Sequence, residues 1–175
     1  MESIGINIAV SVVTAFLTYI VIEYFKKSGK IRVNLGSSEL VLHKPDDYGG
    51  QSPTKSVAEA TSLTVILGLD IYNSSDVQRS LRALEIEIKP KNKSKSFVSP
   101  PYTFVRGSSS LAPYSKFQVV NLPPKEITHL DVRCWARDDE CRNLGKEVSV
   151  YLKGLYPNGR KFKAFLQTAD LEKSL

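Results

Sequence analysis

Residues 61–72 read TSLTVILGLDIY and carry the clearest strand signal in the chain. Apolar residues recur at every second position, so an extended backbone would place them on one face. Ile66 adds an apolar side chain to the opposite face, which predicts a central strand that is partly covered on both sides. Gly68 predicts a bulge or a close backbone approach within this strand. The predicted inward face consists of Leu63, Val65, Leu67, Leu69 and Ile71. Residues 73–76, Asn-Ser-Ser-Asp, follow and predict a turn, because Asn and Asp side chains mimic backbone hydrogen bonds.

The segments on both sides continue the two-residue period. Residues 31–42 alternate before and after Gly36, which predicts one strand or two. Residues 80–89 place Leu and Ile on one face and Glu and Lys on the other, a pattern typical of a sheet with one solvated face. Residues 44–60 contain Pro and Gly without an apolar period and predict an exposed loop. A further strand is predicted at 127–136, with Leu130, Val132, Cys134 and Ala136 facing inward. Residues 137–146 follow it and predict a polar loop.

The C-terminal part of the chain carries the strongest hairpin signal. Asn158-Gly159 lies between two alternating segments, residues 148–155 and 161–166. Asn-Gly favours the tight turn that joins neighbouring antiparallel strands. Shorter strands are predicted at 97–98, 102–105 and 116–120.

Eight or so short strands without an amphipathic helix between them favour an antiparallel β-sandwich. The topology is expected to be immunoglobulin-like or related, although the Cys…Trp…Cys spacing of true immunoglobulin domains is absent from the sequence. A partly open barrel is the alternative. The predicted domains are residues 1–30, a transmembrane anchor with a basic juxtamembrane linker; residues 31–170, the β-sandwich; and residues 171–175, a tail.

The anchor prediction rests on residues 4–25, which read IGINIAVSVVTAFLTYIVIEYF. As a helix this run is about 30 Å long, which matches the hydrocarbon core of a bilayer. A cleaved signal peptide is the rival interpretation, but the start of the chain is acidic and no small-residue cleavage site follows. Lys and Arg follow the run and do not precede it, so we expect the N-terminus outside and the domain in the cytoplasm.

Polar side chains in the anchor predict a second role for it. Small neighbours and hydrogen-bonding side chains favour packing against another transmembrane helix, either of a second copy or of another protein. The alternative is that the hydroxyl groups bond to their own backbone carbonyls. The predicted packing residues are Asn7, Ser11, Thr14 and Thr18, with Gly5, Ala9 and Ala15. Lys26, Lys27 and Lys30 are predicted to contact lipid headgroups, or to act only as topology determinants.

The overall composition does not select a partner. The chain has 24 Lys and Arg against 18 Asp and Glu, a net charge of +6. This balance is compatible with anionic lipid, nucleic acid or an acidic protein. Two cysteines, Cys134 and Cys141, are too few for a disulfide framework in a small domain.

No motif predicts catalysis, a cofactor or a metal ion. His129, Cys134 and Cys141 lack the paired spacing of a zinc site. A nucleophile elbow and a glycine-rich phosphate loop are absent from the sequence. The sequence therefore predicts no enzyme, no catalytic residue, no cofactor and no metal ligand.

The predicted function is a membrane-anchored β-sandwich that serves as a binding or scaffolding module, with a subunit of a membrane complex as one form of this role. Arg133, Trp135 and Arg137 are the predicted partner surface, because Trp and Arg are enriched at binding hot spots. Coverage of Trp135 by a neighbouring segment is the alternative. A membrane-tethered enzyme or enzyme accessory is the second function considered. The third is binding of nucleic acid or anionic lipid by the loop from Lys89 to Lys95, with nucleic acid the less favoured ligand.

Overall fold

A computed structural model describes residues 2–91, 95–104, 114–117 and 119–173. Side chains are described from Val12 onwards, apart from those of Phe104, Tyr114 and Arg142. The predicted packing side chains Gly5, Asn7, Ala9 and Ser11 therefore lie outside the described part, as do residues 92–94 of the predicted lysine-rich loop.

The described residues form one long helix, one short helix and eleven strands. The helices are α1 (Glu2–Lys27) and α2 (Asp139–Arg142). The strands are β1 (Ile31–Pro45), β2 (Gln51–Thr54), β3 (Ser62–Asn73), β4 (Arg79–Pro90), β5 (Phe97–Ser99), β6 (Tyr102–Phe104), β7 (Tyr114–Lys116), β8 (Val119–Leu122), β9 (Ile127–Arg137), β10 (Glu147–Leu155) and β11 (Lys161–Asp170).

The strands form two antiparallel sheets. Sheet 1 has the order β2-β1-β3-β9-β6-β7. Sheet 2 has the order β11-β10-β4-β5, and β8 also pairs with β4. Since β5 pairs with residues 86–88 of β4 and β8 pairs with residues 79–82, these two short strands occupy successive parts of the same edge. The architecture is the predicted mainly-β antiparallel sandwich.

The core lies between the two sheets and is built from the predicted alternating residues. In β3 the side chains from Leu63 to Ile71 at every second position are at most 1% exposed. They face the apolar side chains of β4 and β10, which are buried to a similar degree. Each fully buried Leu or Ile contributes roughly 1.5–3 kcal/mol relative to exposure, so this layer supplies most of the driving force for folding. Sheet 2 contributes Leu81, Leu84, Ile86, Ile88, Val148, Val150 and Leu152.

The predicted irregularity at Gly68 is confirmed. The register between β1 and β3 shifts between Leu35 and Ser37, and Ser37 then pairs with Gly68. A Cβ at position 68 would lie 2.5 Å from Ser37 Oγ. The missing Cβ of Gly68 leaves room for this hydroxyl where the bulge of β1 brings it onto β3, and a larger residue would require Ser37 Oγ to rotate away. Residues 31–42 accordingly belong to a single strand.

Three parts of the predicted strand pattern are wrong. Residues 51–54 form β2 and pair with the end of β1, although they were predicted as loop. The predicted strand at 116–120 is divided between β7 and β8, which pair in different sheets. The predicted polar loop after β9 contains α2, and both Cys141 and Leu144 within it are buried. Leu171, predicted as tail, is also buried in the core.

Helix α1 leaves the sandwich instead of packing on it. Its large apolar side chains between Val12 and Phe25 are 45–70% exposed, and Thr14, Ala15 and Thr18 are exposed as well. Apolar residues surround the helix and do not form one stripe. Within the part of the chain that the structure describes, no helix is both long enough and apolar enough to cross a membrane. The described residues therefore do not support the predicted transmembrane span.

Candidate functional site

The C-terminal end of α1 is bound to the sandwich by the loop between β3 and β4. Ser74 N and Oγ donate to the Lys30 carbonyl, at 3.0 and 2.9 Å, and Lys30 N donates to Ser74 Oγ at 2.7 Å. Asp76 N donates to the Lys26 carbonyl at 3.1 Å. Most of these bonds involve the main chain of residues 26–30, so this segment has a defined position on the sandwich. We call residues 26–30 and 73–79 together the helix clamp.

Asn73, the last residue of β3, holds the loop of the helix clamp in shape. Its side chain is 0% exposed. The amide nitrogen lies 2.9, 3.0 and 3.1 Å from the carbonyl oxygens of Val77, Leu122 and Pro123, to which it donates. The amide oxygen accepts from Ser75 N at 3.1 Å and Ser75 Oγ at 2.6 Å. One buried side chain therefore satisfies backbone groups of two loops.

Gly29 allows the two halves of the helix clamp to approach closely. A Cβ at this position would lie 2.2 Å from the nitrogen and 2.3 Å from the Cα of Ser75. These are backbone atoms and cannot move aside like the end of a side chain. Only glycine therefore fits between α1 and the loop in this arrangement.

Arg79, the first residue of β4, completes the helix clamp. Its Nε donates to Ser75 Oγ at 3.1 Å, and Nη2 donates to the carbonyl of Lys27 at 2.5 Å. A guanidinium next to the last carbonyls of a helix also interacts favourably with the helix dipole. The positive charge of Arg79 is thus held at the base of α1.

The β10–β11 hairpin approaches the helix clamp from sheet 2. Tyr156 N donates to the Arg160 carbonyl and Gly159 N donates to the Tyr156 carbonyl, both at 2.9 Å. Gly159 adopts φ +80°, as expected for the predicted Asn-Gly turn. The guanidinium of Arg82 on β4 donates to the carbonyl of Pro157, which fixes the turn beside β4. The predicted hairpin is confirmed, and its position places Arg160 and Lys161 near α1.

A cleft of about 950 Å³ lies between the helix clamp and this hairpin. Its polar wall includes Gln78, Ser80, Asn121 and Asn158, and aromatic rings contribute from Tyr156 and Phe162. The described residues that line it include no Asp or Glu. Six of the lining residues are basic: Lys27, Lys30, Arg79, Arg160, Lys161 and Lys163. We call this space the basic cleft.

The predicted headgroup lysines divide between the basic cleft and the surface of α1. Lys27 and Lys30 line the cleft, whereas Lys26 does not. Glu23 lies 3.5 Å from Lys26 Nζ and 3.3 Å from Lys27 Nζ, so it neutralises part of their charge. Lys30 is exposed and forms no ion pair with any residue that the structure describes.

The predicted partner surface lies elsewhere, on the outer face of sheet 1. Arg133, Trp135 and Arg137 occupy alternate positions of β9. Trp135 is half-buried, and its ring lies 5.4 Å from that of Tyr102, on neighbouring β6. Tyr102 on β6 therefore covers part of the Trp135 surface, which is the alternative prediction for this residue. Of the predicted Lys89–Lys95 loop, Lys89 lies within β4, and Lys91 pairs with Glu147.

Sequence reasoning missed Arg79, Arg160 and Lys161 as members of one site. Each is exposed or half-buried next to a turn, and such positions are typical of solvated charges. The usable signals were the turn residues: Asn158-Gly159 predicted the hairpin, and Asn73 began a predicted turn. The cleft forms only because the sheet order brings the ends of β3, β4 and β10 to the side where α1 enters.

A second charged cluster lies on the outer face of sheet 2 around Glu87. The carboxylate is buried and contacts Lys153 Nζ at 2.8 Å and Lys163 Nζ at 2.5 Å. Burial alone would raise the pKa of Glu87, but the hydrogen bonds and charges of the two lysines outweigh it and lower the pKa to about 2. Lys163 Nζ also lies 4.1 Å from the centre of the Tyr151 ring. Glu87, predicted on the solvated face, is thus covered by its partners.

Both cysteines are buried and free. Burial raises the pKa of Cys134 to about 12, and burial together with the charge of Asp138 raises the pKa of Cys141 to about 11. Thiols of this kind are protonated and poorly reactive at neutral pH. Among the residues that the structure describes, no group of three or more His, Cys, Asp or Glu is placed to hold a metal ion.

Comparison with known proteins identifies the sandwich. A family model described as the YopI Ig-like domain matches residues 29–167. The chain belongs to this family. The YopI Ig-like domain thus begins at Gly29 in the helix clamp and ends within β11, and it contains every residue of the basic cleft except Lys27 and Ser28.

Individual proteins resemble this chain to different degrees. The SPbeta prophage-derived uncharacterized protein YopI of Bacillus subtilis (strain 168) is 23% identical over 165 residues, which cover 89% of this chain and 86% of that protein. A crystal structure of a provisionally assigned ApaA protein from Bordetella pertussis covers 80% of this chain and 90% of its own, with 10% identity and a TM-score of 0.42.

An uncharacterized β-sandwich protein from Clostridium difficile 630 covers 79% of this chain and 86% of its own, with 17% identity and a TM-score of 0.38. Since both TM-scores lie below 0.5, assignment to the YopI Ig-like family rests on the family match.

Proposed function

We propose that the protein is a single-pass membrane protein whose Ig-like sandwich is a binding or scaffolding module at the membrane surface. The observation that carries the proposal is the contrast between the two ends of α1. Its apolar side chains from Val12 to Phe25 lie exposed on all sides, whereas its C-terminal end is clamped to a basic part of the sandwich. A bilayer would cover the first part and attract the second.

The proposed span is residues 4–25. The part with described side chains, Val12 to Phe25, would be about 21 Å long as a helix and is shorter than the hydrocarbon core. The proposed span therefore also includes residues 4–11, whose apolar character is known from the sequence. The basic residues after the span favour an N-terminus outside and a sandwich in the cytoplasm.

Two surfaces are available for partners in this arrangement. Thr14 and Thr18 continue the polar stripe predicted from Asn7 and Ser11, and a second transmembrane helix would pack there. A protein partner would bind the outer face of sheet 1, where Trp135 and Tyr102 form an aromatic pair. Either contact fits a subunit of a membrane complex.

Extraction of membranes tests the anchor. We expect the full chain to remain in the pellet after an alkaline carbonate wash at about pH 11, because a spanning helix is not released by removing charge contacts. The control is the double variant L17R/I20R, which puts two charges at the centre of the proposed span and is expected to move to the supernatant. Release of the unmodified chain by the wash would contradict the proposal.

A further inference from the structure

We propose that the basic cleft binds the phosphate group of an anionic phospholipid in the leaflet where α1 ends. This inference rests on the proposed membrane anchor and names a ligand for the sandwich itself. It differs from general attraction of juxtamembrane lysines because four of the six basic residues belong to strands or turns of the sandwich. These four are Arg79, Arg160, Lys161 and Lys163.

Four of the six cations in the basic cleft are available for a ligand, because Lys27 pairs with Glu23 and Lys163 pairs with Glu87. Lys30, Arg160 and Lys161 are exposed and form no ion pair with any described residue. Arg79 uses Nε and one Nη2 hydrogen within the helix clamp, and the remaining three of its five N–H groups are free to donate to an anion. Guanidinium and ammonium groups together suit a phosphate, since one gives directed hydrogen bonds and the other a compact charge.

The local backbone does not oppose an anion in this place. The C-terminal end of a helix carries partial negative charge, which would repel a phosphate. Here Ser28 N and Oγ donate to the Phe25 carbonyl, at 3.1 and 2.8 Å, and Arg79 donates to the Lys27 carbonyl. The carbonyls of Phe25 and Lys27, in the last turn of α1, are therefore already bonded to donors.

The position of the cleft selects a lipid phosphate over a free one. It lies directly beside residues 27–31, which begin two residues after the end of the proposed span. The polar side chains of Gln78 and Asn121 also line the cleft and can bond to a glycerol headgroup. Headgroups of the adjoining leaflet are thus within reach of a sandwich that the helix clamp holds in place.

The test measures phosphatidylglycerol bound to the full chain in non-ionic detergent by native mass spectrometry, with phosphatidylcholine as the neutral lipid. The variant is R160Q/K161Q, and the control is K55Q/K89Q, which removes the same charge from two exposed positions. Lys89 lies ten residues along β4 from Arg79, or about 33 Å. We expect phosphatidylglycerol to bind more tightly than phosphatidylcholine, and the variant to lose roughly 25-fold in affinity for it. The control should lose less than twofold.

Other outcomes would overturn the inference. Equal losses in variant and control would show diffuse attraction to net charge. Competition by glycerol phosphate or inorganic phosphate at the lipid's own concentration would assign the cleft to a free phosphate, and displacement by an oligonucleotide would assign it to nucleic acid. If the chain resists carbonate extraction but shows no preference for phosphatidylglycerol, this inference fails alone. If the chain is extracted, the proposed anchor fails.

Discussion

At the scale of single residues, Glu87 shows how a carboxylate can be stabilising on the outer face of a sheet. Two lysines from two other strands contact its two oxygens, and Ser96 Oγ donates to Oε1 at 3.2 Å. The charged form is therefore favoured in the folded protein, and its pKa falls from 4.5 to about 2. The free energy of unfolding must then depend on pH in the acid range.

We predict that Glu87 contributes about 2 kcal/mol to the free energy of unfolding at neutral pH, a value reduced for the partial exposure of both lysines. Because the folded pKa is lowered, this contribution is complete above pH 4.5 and is lost as the pH falls towards about 2. Denaturant unfolding of E87Q should show the loss at pH 7 and less further loss at pH 3 than the unmodified chain. The matched control is E85Q, an exposed neighbour on the same face. An E87Q variant with unchanged stability at pH 7 would refute the role of the ion pairs.

Asn73 marks a limit of sequence reasoning at this scale. Its position before Ser74 and Ser75 predicted turn chemistry, and a turn is present. The sequence did not reveal that its amide is fully buried and bonded to Leu122 and Pro123, because those residues are about fifty positions away in the chain. Local hydrogen bonds follow from residue type, whereas the distant ones follow from the fold.

At the scale of elements, the helix clamp decides whether α1 and the sandwich move together. The clamp depends on a backbone approach at Gly29 that leaves no room for a Cβ. Hydrogen bonds from Ser74, Asp76 and Arg79 then fasten the chain between α1 and β1. A change at Gly29 should therefore loosen the connection without disturbing the core.

We predict that G29A exposes the connection to proteolysis, because the Cβ would overlap the backbone of Ser75. Trypsin should cleave after Lys27 or Lys30 at least tenfold faster than in the unmodified chain, while the sandwich stays resistant. The matched control is G145A, where an added Cβ meets nothing within 4 Å. Equal cleavage rates for G29A and the unmodified chain would show that the clamp does not restrain this segment.

Elements with a regular apolar period could be predicted, and edge elements could not. The alternation in β3, β4 and β9 is imposed by burial of one face, so it is visible in the sequence. β2 has almost no apolar side chains and forms because it pairs with the end of β1. β7 and β8 are separated by a change of sheet that leaves no local signal.

At the scale of the whole molecule, the two ends of the sandwich differ in the charged residues that they carry. The end next to α1 carries the helix clamp, the β10–β11 turn and the basic cleft. The opposite end carries the acidic residues before and within α2 and the turn at Asp46 and Asp47. The sequence revealed the basic flank of α1 but not this asymmetry, because it requires the sheet order to be known. In the proposed arrangement the basic end faces the membrane.

The most direct test of the account is the depth of spin labels on the full chain in phosphatidylglycerol-containing nanodiscs. Single cysteines at Phe16, Asn158 and Lys55 would report the helix, the hairpin turn and the far end of the sandwich, since the native Cys134 and Cys141 are buried. We expect the label at 16 to be accessible to oxygen and shielded from a water-soluble nickel reagent. The label at 158 should lie near the lipid phosphates and the label at 55 in water. A label at 16 that the nickel reagent reaches, or equal distances of 158 and 55 from the bilayer, would contradict the account.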